Sequence, residues 1–189
     1  MKPTWKNSAV IASVALGMTA LAPPAMARET AVAPERNPPG DIPDSQVFVQ
    51  YTSPAGFSIK VPEGWSRAER ADGVRFSDKY NVIDLAVSKA DRPPGAAAAN
   101  TLEAALRKDG RAVEIRSVKN VKLGSGPAVL ISYSSNSEPN PVTSRQIRLE
   151  HHRYLLFRNG VLVTLDLSAP LGADNADQWR LISNAFRWR

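Results

Sequence analysis

The sequence predicts an α+β fold, a mostly antiparallel β-sheet flanked by helices. Three observations carry this reading. Many short runs alternate apolar and polar residues with the period of a half-buried strand. An Asn159-Gly160 dipeptide sits between two apolar runs, the strongest short-range hairpin signal in the chain. Finally, two segments carry helical spacing, one mid-chain and one at the end, which suits helices packed on a sheet.

The first 27 residues read as a secretory signal peptide. Lys2 and Lys6 precede an apolar stretch from Ala9 to Ala22, Pro23 and Pro24 break it, and Ala25-Met26-Ala27 offers small residues for cleavage after Ala27. The stretch is shorter than the ~20 residues a membrane span needs. The expected location is therefore periplasmic or secreted, with no stable membrane insertion after cleavage; an uncleaved, membrane-tethered chain is the alternative. Residues 28–45 hold Pro34, Pro38, Pro39, Gly40 and Pro43 with few large apolar residues, so a disordered linker is expected there. Residues 46–189 form the folded domain. The chain has no cysteine, which excludes disulfides, thiolate nucleophiles and Cys-based metal sites.

Val47-Phe48-Val49 and Phe57 to Val61 read as strands joined through Ser53-Pro54-Ala55-Gly56, with a Pro62-Glu63-Gly64 turn before Trp65. Val74 to Phe76 and Val82 to Val87 follow. Asn100 is expected to cap a helix over Thr101 to Lys108, with Glu103 reaching back to the cap and Leu102, Ala105 and Leu106 on one face. Strands resume over Val113 to Leu123, Ala128 to Ser134, Ser144 to Phe157 and Val161 to Leu167. A last helix is expected to be capped by Asp174, with Asp177 at its third helical position and Trp179, Ile182 and Phe186 along one side.

Chemistry is harder to find. His151 and His152 are adjacent in a strand and so point to opposite faces, which prevents a shared metal; Glu150 shares a face with His152, but a third ligand is not evident. Asp84 and Asp166 sit singly in apolar strands. No G-x-S-x-G elbow is present, and Gly124-Ser125-Gly126 lacks the ending of a phosphate loop. Neither catalytic residues nor a cofactor or metal site is expected. Trp65, Trp179 and Trp188 read as core or core-edge aromatics. The formal charge is +6, mildly basic, and no nucleic-acid motif accompanies it.

The run Ser144 to Phe157 is cationic. Arg148, His152 and Arg158 share one parity with Glu150 and Tyr154, while His151 and Arg153 interrupt the apolar parity, which suggests a bulge or an exposed middle. The candidate partner surface is Arg145, Arg148, His152, Arg153, Tyr154 and Arg158, with the adjoining loop from Asn136 to Thr143. On that reading Arg148 and Arg153 can be changed with little loss of fold.

Two segments carry a family likeness. One is Gly56-Phe57-Ser58-Ile59-Lys60-Val61-Pro62-Glu63-Gly64-Trp65. The other is Leu165-Asp166-Leu167-Ser168-Ala169-Pro170, with the helix carrying Trp179 and the ending Ala185-Phe186-Arg187-Trp188. Together they resemble the PsbP-like superfamily across roughly residues 46–189. The resemblance implies an α/β/α sandwich and an accessory or binding role, and it transfers no functional residue. The resulting expectation is an exported, non-enzymatic envelope protein that binds a protein partner or a small ligand. The rival is a cell-envelope hydrolase, which requires a polar pocket built from His151 or His152 with Asp84 or Asp166.

Overall fold

The computed structural model describes residues 29–109 and 111–189. The signal segment and its cleavage site lie outside the described residues. Among the described residues, ten strands and two helices run in the order β1 (Phe48–Ser53), β2 (Phe57–Pro62), β3 (Ser66–Arg70), β4 (Gly73–Asp78), β5 (Asn81–Lys89), α1 (Ala96–Asp109), β6 (Glu114–Leu123), β7 (Gly126–Asn136), β8 (Arg148–Arg158), β9 (Val161–Pro170), α2 (Ala176–Ala185) and β10 (Arg187–Trp188). Seven strands form one long antiparallel sheet in the order β3-β4-β5-β9-β8-β7-β6, and β1-β2-β10 form a smaller one.

The β8–β9 hairpin turns at Asn159-Gly160, whose φ values of 49° and 78° are the left-handed pair that a tight hairpin turn requires. Gly73 is fixed for a different reason: a Cβ there would lie 1.9 Å from the Leu85 carbonyl oxygen on β5. β3 reads Ser-Arg-Ala-Glu-Arg and is exposed throughout, so it lacks the alternation that reveals a strand. It is a charged edge strand, of the kind that blunts edge-to-edge pairing.

Three layers result. On the inner face of the long sheet, Val74, Phe76, Ile83, Leu85, Tyr154, Leu156, Val163, Leu165 and Leu167 pack with Phe57, Ile59 and Val61 of the small sheet and with Trp179, Ile182 and Phe186. The two segments that carry the family likeness meet here. β10 pairs with β2 through Arg187–Ser58 and Trp188–Phe57, and the Phe57 and Phe186 rings stack at 5.3 Å. On the outer face α1 sets Leu106 against a smaller cluster of Val113, Val129, Ile131, Tyr133 and Leu155.

Three local expectations about the helices change. α1 begins at Ala96, so Asn100 lies inside the helix rather than capping it; the four alanines after Gly95 are the best helix formers and extend it backwards. Glu103 pairs with Arg107 one turn on instead. α2 has Asn175, not Asp174, at its cap, and the Asn175 side chain makes no capping bond. It accepts from the Ile42 amide at 2.6 Å and donates to the Gly40 carbonyl at 3.0 Å.

Those bonds show what becomes of residues 29–45. The segment forms no helix or strand, but it is a strap tied to the domain rather than a free spacer. Ile42 is buried, Asn81 donates to the Gly40 carbonyl, and Asp41 accepts from the Asp174 amide. Further back, the Val32 amide donates to Asn136 Oδ1, and Asn136 Nδ2 donates to the Thr30 carbonyl. Side-chain amides supply the partners that a Pro-rich backbone cannot find within itself.

Candidate functional site

β8 runs without a register break against both neighbours, so of the two alternatives the bulge is absent, the stretch from Leu149 to Arg153 is half-buried, and strict alternation holds from Leu149 to Arg158. His151 and Arg153 therefore belong to the outer face. There they meet the polar residues of three other strands. One cross-strand row reads Arg75, Asp84, Asp166, Arg153 and Ile131 from β4 to β7. The next contains Val82, Ser168, His151 and Tyr133.

Asp84 and Asp166 are directly opposed on β5 and β9. Like charges in such a pair repel, and here cations flank the pair on both sides. Arg70 reaches from the edge strand to hold Asp84 at 2.6 Å, and Arg75 stands 3.4 Å away. Asp166 is more deeply placed. Arg153 and the Tyr133 hydroxyl each donate to Oδ2 at 2.6 Å, and His151 Nδ1 lies 3.0 Å from Oδ1. Ser135 Oγ is 2.9 Å from the other ring nitrogen, Nε2. The His151 ring stacks on Tyr133 at 4.2 Å with the planes 8° apart, and the Arg153 guanidinium lies over the Tyr133 ring.

Burial opposes the charge on Asp166, but its interactions with His151 and Arg153 and the hydrogen bond from Tyr133 overcome it. The carboxyl is held well below its ordinary range. Tyr133 is pushed far up by burial and by the Asp166 charge, so its hydroxyl stays a donor. Desolvation opposes the charge on Arg153, yet Asp166 raises its pKa overall.

These residues floor an open cleft of about 840 Å³, walled also by Arg111, Asn136, Glu138 and Glu29. Arg111 is ion-paired with Glu138. α1 covers the other end of the same face, and the cleft is the part it leaves open.

The six residues of the expected partner surface do not share a face. Arg148 is 3% exposed; it donates to the Ala112 carbonyl, Asn136 Oδ1 and Ser134 Oγ and pairs with Glu114 at 2.9 Å. It is a structural ion, and the expectation that it can be reversed without loss of fold does not stand. Tyr154 belongs to the inner core, and His152 meets the Trp179 ring at 4.9 Å on the same side. Burial lowers the pKa of His152 and raises that of its neighbour Glu150. Arg153 faces the cleft instead, while Arg145 is exposed before the strand begins and Arg158 is exposed at its last residue. The alternation of a regular strand separates what the sequence grouped by proximity. Tyr133 and Ser135 were missed. The signal that marks them is the change along β7 from Val129 and Ile131 to Tyr133 and Ser135 on one parity. Among the described residues, no group of three potential metal ligands converges.

Fold and site together define an α/β/α sandwich with an ionic cleft open on its outer face. No family model and no curated protein matches the sequence. The solution structure of cyanobacterial PsbP (CyanoP) from Synechocystis sp. PCC 6803 matches with a TM-score of 0.55 at 12% identity, over 79% of this chain and 98% of that one. A crystal structure from Bacteroides thetaiotaomicron VPI-5482 gives 0.48 at 14% identity, over 74% of this chain and 48% of that one. The chain has the PsbP-like fold, and at these identities the likeness extends to the fold alone.

Proposed function

We propose that this protein is an exported accessory protein that holds a small polar ligand in the outer cleft. The observation that carries the reading is a satisfied ionic network left uncovered on one half of a sheet face whose other half is closed by a helix. The cleft volume lies in the range of small-molecule sites. Four arginines there face four carboxylates, so the lining favours a neutral or zwitterionic ligand over a highly charged one. The division of the β8 cations between the two faces of the strand favours a ligand over a protein partner.

The test is a thermal-shift screen of the processed protein against zwitterionic and polyhydroxylated small molecules, followed by chemical-shift mapping of the hits. Binders that perturb Tyr133, His151 and Thr164 and weaken in Asp84→Asn support the reading. Hits that map to the inner layer, or none at all, defeat it. Export has its own check: the mature chain is expected to begin at Arg28, and retention of residues 1–27 in the cell envelope would exclude cleavage.

A further inference from the structure

We propose that Ser135, His151 and Asp166 form a nucleophilic relay that accepts an acyl group from a small carboxylic ester. The inference uses the same cleft as the binding reading but goes beyond it, because it assigns reactivity to one oxygen.

The geometry is that of an activated hydroxyl. Asp166 is ionised and accepts from His151 Nδ1 at 3.0 Å, which fixes the proton on that nitrogen. Nε2 is left as an acceptor, 2.9 Å from Ser135 Oγ, and so receives the serine proton. The ring cannot swing away easily, since Tyr133 stacks on it and is itself tied to Asp166 at 2.6 Å. Ser135 is only 8% exposed, but it lines the cleft, which is the side from which an ester would reach it. The order of the three along the chain matches no sequence motif, and none is needed, because such relays are defined by geometry and roles.

In the reaction, Ser135 Oγ bonds to the ester carbonyl carbon as its proton passes to His151 Nε2. The carbon–oxygen bond to the leaving group then breaks, and the proton moves from Nε2 to the departing alkoxide or phenoxide. The products are an acylated Ser135 and a free alcohol, and atoms and charge balance without a further reactant.

Two features limit the relay to acyl capture rather than rapid turnover. The Asn136 amide donates to the Arg111 carbonyl at 2.7 Å and the Ser137 amide to the Ile147 carbonyl at 2.8 Å, so neither is free to stabilise an oxyanion. Asp166 also shares its charge with Arg153, which reduces the support it can lend an imidazolium.

The experiment uses the processed protein and p-nitrophenyl acetate. The expected result is a burst of p-nitrophenol approaching one equivalent per chain, followed by slow release, with the acetyl group located on Ser135 by peptide mass spectrometry. Ser135→Ala should abolish the burst, and Ser132→Ala, on the same strand but the opposite face, should retain it. His151→Gln should slow acylation by about 100-fold or more and remove its rise with pH. A folded wild-type protein without an adduct at Ser135 overturns the proposal. So does an adduct that forms equally fast in His151→Gln, since that would be labelling by exposure alone. Either failure leaves ligand binding in the cleft standing, whereas an acylated Ser135 in a protein that binds no ligand would separate the two readings the other way.

Discussion

The outer face of the long sheet is built twice from the same strands. Under α1, β7 and β8 present Val129, Ile131 and Leu155, and β9 presents Leu162 beside them. Toward the open end the same parities present Tyr133 and Ser135, Arg153 and His151, then Asp166 and Ser168. One half is held by burial of apolar area, which is non-directional and tolerant of repacking. The other half is held by directional bonds to a single buried carboxylate, which tolerate little. The comparison teaches that a sheet face can be stable without a covering layer, provided every buried charge has its partners.

The sharpest way to break this comparison is Asp166→Asn. It leaves Arg153 without its counter-charge and should cost about 3–5 kcal/mol in urea unfolding. A loss below about 1 kcal/mol would mean that the open half does not depend on its carboxylate. On the covered half, Ile131→Ala empties a fully buried site and should cost about 2–5 kcal/mol in the same measurement.

A smaller effect comes from pH. His152 packs against Trp179 with its pKa lowered by burial, so the unfolded chain takes up its proton first. Stability should fall as pH drops through the ordinary imidazole value of 6.5, and His152→Phe should flatten that decline in a melting-temperature series. Asp166 acts lower on the scale. Its carboxylate stabilises the fold above about pH 4, and that contribution disappears on further acidification. A decline between pH 7 and 5 that survives in His152→Phe would assign it elsewhere.

The smallest expected change is Asp84→Asn. Its arginine partners are a third to a half exposed, so the loss should stay under about 1 kcal/mol. Asp84 and Asp166 are paired in register, and equal losses from the two substitutions would show that depth does not separate them.

Much of this fold was legible beforehand, because its strands alternate and its turns are marked by residues with special backbone freedom. Asn159-Gly160 set the β8–β9 hairpin, and Trp179, Ile182 and Phe186 identified the buried side of α2. The exceptions lacked a local signal. β3 is charged throughout, and β10 is a two-residue strand whose existence depends on β2, far away in the chain. The strap over residues 29–45 looked unstructured because its partners, Asn81, Asn136 and Asn175, are spread over the whole domain.

By itself, then, the sequence determined the fold class, the strands with a buried face and the apolar side of the last helix. It also limited the requirement for the rival hydrolase to His151 or His152 with Asp84 or Asp166. Local periodicity suffices for those, since each depends on residues a few positions apart. Tertiary structure decided the rest. Which histidine meets which aspartate depends on the register between strands that are distant in sequence, and a shift of one residue would send every side chain to the other face. That register brings His151 to Asp166 and Ser135, buries Arg148 as a structural ion, and turns His152 toward Trp179.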